Sequence, residues 1–260
     1  MVRAIVSGAG GRMGRMITRA VEDVEGIEVS GGIEAPGSPY IGTDIGEIAG
    51  LPRKGIQITG DIEKAAGDVI IEFSTPEATI SHLKAGKKMV IGTTGIDEEG
   101  IEEIRKTSKD ISIVMSPNMS MGVNTLFSIV ERIAPLLIKD FDVEIMEIHH
   151  RLKKDAPSGT AVKIAQIIAQ AMGEKLEDVA VYGRKGMVGG RKDKEIGILS
   201  LRGGDIVGEH TVTFAGTGER LEITHRAQSR ETFAHGAVKA ALWIIDKPSG
   251  LYTMRDVLGL

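Results

Sequence analysis

The sequence predicts an α/β protein of two domains: an N-terminal domain built on a doubly wound parallel sheet, and a second, α+β domain with a mixed or antiparallel sheet. Three observations support this prediction. Short apolar runs alternate with amphipathic stretches over the first 120 residues, whereas three strand-like runs follow one another directly in the second half. Glycine is abundant, at 34 residues, which favours many tight turns. Apolar strands separated by helices are typical of buried parallel sheets, and uninterrupted strands are typical of antiparallel or mixed ones.

The first half provides the strands and crossover helices of the parallel sheet. Apolar, often β-branched runs predict strands at residues 2–7, 27–33, 56–58, 69–73, 88–91 and 111–115. Amphipathic stretches between them predict helices at residues 13–24, 76–85 and 98–109. Residues 35–55 are rich in Gly and Pro and are predicted to form a long surface loop.

The second half has a different pattern. Apolar periodicity predicts helices at residues 124–138, 158–172 and 232–245, and strands at 142–149, 196–202, 208–215 and 221–225. Alternation in residues 142–149 is imperfect, because apolar residues stand next to each other at positions 145 and 146. Residues 183–194 are rich in glycine, lysine and arginine and are predicted to form a mobile loop.

Composition excludes several classes of function. Hydrophobic residues make up 42% of the chain and charged ones 26%, which is ordinary for a folded globular protein. The net charge of −4 and the 3% of aromatic residues argue against a nucleic-acid or anionic-membrane partner. The absence of cysteine removes disulfides, thiolate catalysis and cysteine–zinc sites. The chain has no apolar run of about 20 residues and begins in a strand-like run, so we expect a cytoplasmic protein without a signal peptide.

A glycine-rich turn between the first strand and the first helix has the pattern of a dinucleotide site. Glycines permit a tight turn and close approach of the backbone to a pyrophosphate, which the helix N-terminus attracts. Glu34 stands 20 residues after Gly14, where an acid would bind the adenosine ribose hydroxyls. An ordinary βα turn is the alternative interpretation. The predicted contacts in the turn are Gly8, Ala9, Gly10, Gly11, Arg12 and Met13.

The sequence leaves the nucleotide open between NADH and NADPH. A 2′-phosphate requires a basic neighbour, and Glu34 is followed by Ala35, which favours NADH. Arg12, inside the glycine turn, could still reach such a phosphate.

Two later turns are predicted to complete the cofactor site. Each follows a strand, at the carboxyl edge where ligands of open α/β sheets bind. Simple connecting turns are the alternative for both. The predicted contacts are Gly92, Thr93 and Thr94 in the first turn and Ser116, Pro117, Asn118 and Met119 in the second.

The stretch from 147 to 160, EIHHRLKKDAPSGT, combines histidines and cations with a helix start. Adjacent histidines on an extended segment point in opposite directions, so one of His149 and His150 is expected to face a cleft. Exposed amides at Ser158-Gly159-Thr160 suit a carboxylate, and Arg151 or Lys153 could hold a second one. The residues therefore predict a site for a small dianion that receives a hydride and a proton. A solvated basic loop that caps a helix is the alternative.

These motifs resemble the dihydrodipicolinate reductases, also called 4-hydroxy-tetrahydrodipicolinate reductases, of bacterial lysine and diaminopimelate biosynthesis. The similar segments are GAGGRMG, GTTG, SPNMSMGVN, EIHHRLKKDAPSGTA, GRKGMVGGRKDKEIG and ERLEITHRAQSRETFAHGA, spread over the whole chain. The resemblance implies NAD(P)H-dependent hydride transfer to a cyclic dicarboxylate imine, giving tetrahydrodipicolinate. It also implies a homotetramer with a Rossmann-like dinucleotide domain at residues 1–121 and 231–260. Residues 122–230 would form the substrate-binding and oligomerisation domain.

The resemblance also implies roles for individual residues. His149 matches the family's proton donor, and Lys153 matches a lysine that donates the proton or stabilises the substrate. His150 corresponds to a substrate contact, and Gly159 and Thr160 to carboxylate contacts at a helix start. The glycine turn, Glu34 and the two later turns match the cofactor contacts. Ala35 departs from the arginine often found in members that use NADPH.

Two other functions remain open at this level. A nicotinamide dehydrogenase acting on another small acid, related to aspartate dehydrogenases, would share the first domain. A nucleotide sensor without catalytic activity would require a partner surface, such as a DNA-binding helix, that the sequence does not contain. The other histidines lack partners at metal-ligand spacing, so they are predicted to be structural and no metal site is expected: His82, His210, His225 and His235.

Overall fold

A computed structural model describes residues 1–260 and shows two compact units. Unit 1 comprises residues 1–121 and 230–260, and unit 2 comprises residues 122–229. Each unit contains its own sheet and its own buried core. The predicted fold class is confirmed, because the first sheet is parallel and covered by helices and the second is mixed.

Twelve strands form the two sheets. In chain order they are β1 Val2–Ser7, β2 Ile27–Ile33, β3 Ile58–Thr59, β4 Val69–Glu72, β5 Lys88–Ile91, β6 Ser112–Met115, β7 Asp142–His149, β8 Ala180–Val181, β9 Ile196–Arg202, β10 Gly208–Gly216, β11 Glu219–Ala227 and β12 Gly250–Tyr252.

Nine α-helices accompany them, and two short 3₁₀ turns lie at Ile62–Lys64 and Leu83–Ala85. No helix is both long and apolar enough to cross a membrane. The helices are α1 Arg12–Glu22, α2 Ile45–Ala49, α3 Pro76–His82, α4 Glu98–Thr107, α5 Met121–Leu137, α6 Gly159–Met172, α7 Leu176–Val179, α8 Glu231–Ile244 and α9 Met254–Leu258.

Unit 1 is a seven-stranded parallel sheet with the order β12-β6-β5-β4-β1-β2-β3. Successive residues of a strand face opposite sides, and both sides are buried here. Val6 packs in a core with α1 and α8, whereas Ile5 packs in a second core with Leu83 and with Ile104 of α4. The order reverses beside β1, so the carboxyl ends of β1, β4 and β5 meet at one edge, where open α/β sheets bind ligands.

Unit 2 is a five-stranded mixed sheet with the order β11-β10-β7-β9-β8. β10 is antiparallel to β7 and β11, whereas β9 is parallel to β7 and β8. Alternate residues of β7 are buried, including Val143 and Ile145, against helices α5 and α6. Buried and more exposed residues therefore alternate regularly along β7, although apolar and polar residues do not. The exception is Met146, which is apolar but lies on the exposed face.

Two element predictions were wrong, and the elements after residue 245 were not predicted. Residues 35–55 contain α2, whose N-cap Asp44 accepts hydrogen bonds from the amides of Gly46, Glu47, Lys54 and Ile56. Because these hydrogen bonds join residues up to 12 positions apart, they leave no periodic pattern in the sequence from which α2 could be predicted. The predicted strand at 56–58 is shifted to Ile58–Thr59. The C-terminal tail contains β12 and α9, because pairing with β6 stabilises a strand of only three residues.

Candidate active site

The predicted site residues fall into two sets, one in each unit. In unit 1, β1 ends at Ser7 and the chain turns at Gly8, whose φ of +72° favours glycine. Gly11 precedes α1 and supplies no side-chain cap, so the amides of the first turn are left for an anion. Arg12 and Met13 begin the helix, Arg12 being exposed and Met13 half-buried.

Close packing explains the glycines of this turn. A Cβ at Gly14 would lie 2.1 Å from the Gly8 carbonyl oxygen, and one at Gly10 would lie 2.2 Å from the Tyr40 ring. Ala9 is buried in the core behind the turn. Only a glycine-rich segment can therefore bring β1, the turn and α1 this close together, which fits a cradle for a pyrophosphate.

Glu34 follows β2 and reaches the same turn. Its Oε1 accepts a hydrogen bond from the Gly10 amide at 2.7 Å. The neighbouring Ala35 is exposed and carries no charge. Arg15 donates to the Gly10 carbonyl oxygen and to the Tyr40 hydroxyl, both at 2.9 Å, so a second arginine of α1 is already engaged beside the turn.

The turn after β5 lies beside the end of β4. A Cβ at Gly92 would lie 2.2 Å from the Phe73 ring, so Gly92 permits this contact. Thr93 is buried and accepts a hydrogen bond from Thr79 at 3.0 Å, whereas Thr94 is exposed. Only the backbone of Thr93 is thus left for a ligand.

Hydrogen bonds between its own residues stabilise the turn after β6. Ser116 is buried and donates to the Asn118 carbonyl oxygen at 2.8 Å, and the Asn118 side chain accepts from the Ser120 amide at 2.9 Å. Pro117 is exposed. Met119 is a core residue rather than a surface contact, because its side chain is buried and its carbonyl oxygen lies against Gly236.

A second buried pair, formed by Glu72 and His82, lies at the end of β4. Glu72 has no exposed surface, and its Oε2 lies 2.6 Å from His82 Nδ1. The other oxygen, Oε1, accepts from the amide and the hydroxyl of Ser74. This pair fixes the turn that follows β4.

In unit 2, β7 ends at His149, and His150 is the first residue after the strand. His149 is buried with Glu147 on the inner face, and its Nδ1 lies 2.6 Å from Glu147 Oε2. His150 is half-buried. Gly208 lies against the other nitrogen of His149, because a Cβ there would be 2.9 Å from Nε2.

Glu147 binds an arginine on the neighbouring strand. Arg202 donates from Nη1 to Oε2 at 2.8 Å and from Nη2 to Oε1 at 2.9 Å. The amide of Ser158 donates to Oε1 at 3.1 Å. Burial alone would raise the pKa of Glu147, but hydrogen bonds led by those from Arg202 and His149 outweigh it and lower the pKa to about 2. Glu147 is therefore a carboxylate at neutral pH.

Burial keeps the histidines of this site neutral. It lowers the pKa of His149, and the charges of Lys153 and Arg202 act in the same direction, whereas Glu147 opposes the shift. Burial also lowers the pKa of His210 to about 3. The rings of His210 and His149 meet edge to face with centroids 5.2 Å apart.

Lys153 and the start of α6 complete this set. Lys153 Nζ pairs with Asp155 Oδ2 at 2.9 Å, which lowers the pKa of Asp155. Ser158 caps α6 by accepting from the Ala161 amide at 3.2 Å, and its hydroxyl lies 2.8 Å from His210 Nε2. Gly159 and Thr160 form the first turn of this helix.

The structure adds Glu147, Arg202 and His210 to the residues predicted from the sequence. Glu147 stands two residues before His149 on a strand, so a shared face could have been predicted from the period of two. Arg202 and His210 come from strands whose pairing with β7 has no local signal. The predicted mobile loop at 183–194 is tied to β7 through Glu144, which pairs with Arg184 and Arg191.

Comparison with known proteins gives consistent matches. The family models described as dihydrodipicolinate reductase, N-terminus and C-terminus, match residues 2–119 and 122–258. The 4-hydroxy-tetrahydrodipicolinate reductase of Syntrophobacter fumaroxidans is 52% identical, and that of Syntrophus aciditrophicus 49% identical. Both alignments cover 100% of this chain, with 100% and 99% of the relatives covered. A dipicolinate-bound dihydrodipicolinate reductase from Paenisporosarcina sp. TG-14 has a similar fold, with a TM-score of 0.78, 23% identity and 97% of both chains covered.

Proposed function

Because the chain belongs to the dihydrodipicolinate reductase family, we propose how its own residues carry out the reaction of that family. The protein has 4-hydroxy-tetrahydrodipicolinate reductase activity and is an NAD(P)H-dependent oxidoreductase. The family resemblance and the activity expected from the sequence are thereby confirmed. The single observation that carries the assignment of roles is the buried cluster of His149, Glu147 and Arg202, with Lys153 beside it.

Unit 1 is proposed to bind the dinucleotide. The first-turn amides of α1 would receive the pyrophosphate, and Glu34 would accept hydrogen bonds from the adenosine ribose. The uncapped helix start and the space that only glycine leaves at positions 10 and 14 support this role. The turns at 92–94 and 116–119 would offer mainly backbone groups. When bound, the reduced nicotinamide supplies the hydride.

Unit 2 is proposed to bind and protonate the substrate. A cyclic dicarboxylate carries two negative charges, which the start of α6 at Gly159 and Thr160 and the cation of Lys153 can receive. Positive charge near the imine also favours arrival of a hydride. His149 and Lys153 are the proposed catalytic residues, and His150 is a proposed substrate contact. Reduction adds a hydride and a proton to the substrate, so one acid is needed.

NADH is the proposed preferred cofactor. The exposed Ala35 next to Glu34 offers no charge for a 2′-phosphate. Arg15 is engaged with Gly10 and Tyr40, which leaves Arg12 as the exposed cation of the turn. NADPH is therefore expected to bind more weakly than NADH.

A homotetramer is also proposed, with unit 2 forming the contacts between copies. The outer face of its sheet exposes Met146, Leu199 and Leu201, which share one face through the pairing of β7 with β9. Contiguous apolar residues on a sheet face favour association. Sedimentation should give a mass four times that of the chain.

The cytoplasmic location stays a prediction from the sequence.

A coupled absorbance assay tests the proposed function. The preceding synthase would generate the substrate in the cuvette from pyruvate and aspartate semialdehyde, with NADH and NADPH compared in parallel. Loss of absorbance at the reduced-nicotinamide band must depend on every component, and it should be faster with NADH. A folded protein that binds NADH but oxidises neither nucleotide would instead favour the dehydrogenase of another small acid or the sensor.

A further inference from the structure

The carboxylate of Glu147 joins three elements of unit 2. It has no exposed surface, and both of its oxygens accept hydrogen bonds from several elements. Oε2 accepts from His149 Nδ1 at 2.6 Å and from Arg202 Nη1 at 2.8 Å. Oε1 accepts from Arg202 Nη2 at 2.9 Å and from the Ser158 amide at 3.1 Å. Strand β7, strand β9 and the start of α6 are therefore held at one point.

The charge of Glu147 determines which nitrogen of His149 carries the proton. An ionised carboxylate can only accept hydrogen bonds, so the 2.6 Å contact requires a proton on Nδ1. Arg202 is always charged and binds the carboxylate at two points, so Glu147 stays ionised without a charge on His149. A neutral His149 consequently has its lone pair on Nε2.

The Nε2 side of His149 is kept open. The hydrogen bond with Glu147 is made by Nδ1 and does not involve Nε2. Gly208 lies next to it, and any larger residue there would place a Cβ 2.9 Å away. The nitrogen that is free to exchange a proton is therefore also the nitrogen that the fold leaves accessible.

We propose that Glu147 and Arg202 are positioning residues that hold neutral His149 as the Nδ1-protonated tautomer, so that Nε2 is the atom at which His149 takes up a proton from water and from which the resulting imidazolium ion gives it to the substrate. This inference rests on the proposed function only for the role of that proton. The charged or titratable groups that face His149 are Glu147 on its own strand, Arg202 on β9, His210 on β10 and Lys153 in the loop after β7. Of these, only Glu147 favours a proton on His149.

Nitrogen-15 NMR of the histidine side chains tests the inference directly. The full-length protein would be labelled with ¹⁵N-histidine, and His149→Gln would identify the signals of His149. We expect the wild-type protein to show an Nδ1-protonated, Nε2-unprotonated ring at pH 7.5. Glu147→Gln can donate as well as accept, so it should shift His149 to a mixture of tautomers. A wild-type His149 with its proton on Nε2 would overturn the inference, even if the variant failed to fold.

Glu72→Gln is the matched control for this experiment. Glu72 is equally buried, and its Oε2 lies at the same 2.6 Å from a histidine Nδ1, that of His82. Its amide variant should therefore lose a similar hydrogen bond but leave the His149 signals unchanged. A shift of the His149 signals in Glu72→Gln as large as in Glu147→Gln would show a general structural effect and refute the specific role.

Kinetics provide the second readout. Loss of a group that orients a functional histidine typically costs about 10- to 100-fold in activity. We expect Glu147→Gln to lower kcat by that amount, with the substrate KM and the NADH Kd within about twofold of wild type. The pH limb that reports His149 should move to lower pH, because Glu147 favours the protonated ring. Arg202→Lys keeps the charge but loses the two-point contact, and it should lower kcat less.

Two results would contradict the kinetic part. A folded Glu147→Gln enzyme with unchanged kcat would exclude a positioning role, as would an equal loss of kcat and nucleotide affinity with an unmoved pH profile. The proposed function is tested separately by the coupled assay on the wild-type protein. If that assay failed while the NMR experiment gave the expected tautomer, the proposed function would fall and the positioning of His149 would stand.

Discussion

Each unit contains a fully buried glutamate paired with a histidine, and the two pairs differ in what compensates the carboxylate. The Nδ1–Oε2 distance is 2.6 Å in both, and both histidine side chains are 11% exposed. In unit 2 the carboxylate of Glu147 also binds Arg202. In unit 1 the carboxylate of Glu72 has no ion-pair partner besides His82, and its other hydrogen bonds come from uncharged groups of Ser74.

This difference fits a proposed functional role for the pair in unit 2 and a structural role for the pair in unit 1. A buried polar group is costly unless it is hydrogen-bonded, so Glu72 depends on its contacts with His82 and Ser74 in the core. Glu147 does not depend on His149 in this way, because Arg202 already compensates its charge. The charge of Glu147 therefore leaves His149 free to take up and release a proton. On the proposed function, the same short contact serves protein stability in unit 1 and proton chemistry in unit 2.

The strongest test of the comparison is to replace each histidine by glutamine. His149→Gln should lower turnover by about 10²- to 10⁴-fold, the usual contribution of a general acid or base, and should change the free energy of unfolding by only about 1 kcal/mol. His82→Gln disrupts the 2.6 Å contact of His82 with the fully buried Glu72 side chain and should lower the free energy of unfolding by about 3 kcal/mol.

Urea denaturation and steady-state kinetics on both variants provide the measurements, and each variant is the control for the other. The comparison fails if His149→Gln turns over like wild type. It fails equally if His82→Gln unfolds at the wild-type urea concentration.

Lys153 tests whether the chemistry belongs to unit 2 alone. Lys153→Ala removes the cation that is proposed to face the substrate, and it should lower kcat by about 10²-fold. The NADH Kd should stay within about twofold, because the proposed nucleotide contacts lie in unit 1. Fluorescence titration with NADH measures the affinity, and Asp155→Asn is the matched control because it removes only the partner of Lys153. A large loss of NADH binding would argue against the proposed role.

How much of the site could be read from the sequence depends on how local its contacts are. The glycine turn and Glu34 belong to one β-α-β segment, and the spacing of 20 residues placed Glu34 within 2.7 Å of the Gly10 amide. Arg202 lies 55 residues after Glu147 and reaches it only through the parallel pairing of β7 with β9. Register between distant strands depends on packing across the whole sheet, so it leaves no periodic signal.

The histidines show the same limit. His210 lies far from His149 in the sequence and was predicted to be structural, yet its ring packs against that of His149. His210 is buried and neutral, as expected of a structural residue, but it lies within the candidate site rather than apart from it. The fold class was more predictable, because it follows from the order of apolar runs and helices along the chain. Short elements such as α2 and β12 were missed because long-range contacts stabilise them.

The free energy of unfolding should fall as the pH is lowered, mainly because of histidines in unit 2. This effect is expected to be smaller than those of the substitutions above. The folded-state pKa of His210 is about 3, below the ordinary 6.5, so its contribution to stability is complete above pH 6.5 and is lost as the pH falls towards 3. The lowered pKa values of His149 and His225 act in the same direction. Glu147, lowered from 4.5 to about 2, adds a loss between these two pH values.

Urea denaturation between pH 7.5 and 4 measures this effect. Each group that takes up a proton on unfolding contributes a slope of up to about 1.4 kcal/mol per pH unit. His210→Gln should flatten the dependence below pH 6.5. An unchanged slope in His210→Gln would mean that other groups dominate the acid transition.

The smallest expected effect concerns the nucleotide and belongs to unit 1. Ala35→Arg places a cation beside Glu34 at an exposed position, where a charge pair is worth about 1 kcal/mol, or about fivefold in affinity. The ratio of kcat/KM for NADPH to that for NADH should rise by this factor, with kcat for NADH unchanged. Arg12→Ala is the companion variant, because Arg12 is the exposed cation of the glycine turn. An unchanged ratio in Ala35→Arg together with a lower one in Arg12→Ala would assign discrimination to Arg12. Neither substitution should alter the tautomer of His149, because that tautomer depends on residues of unit 2.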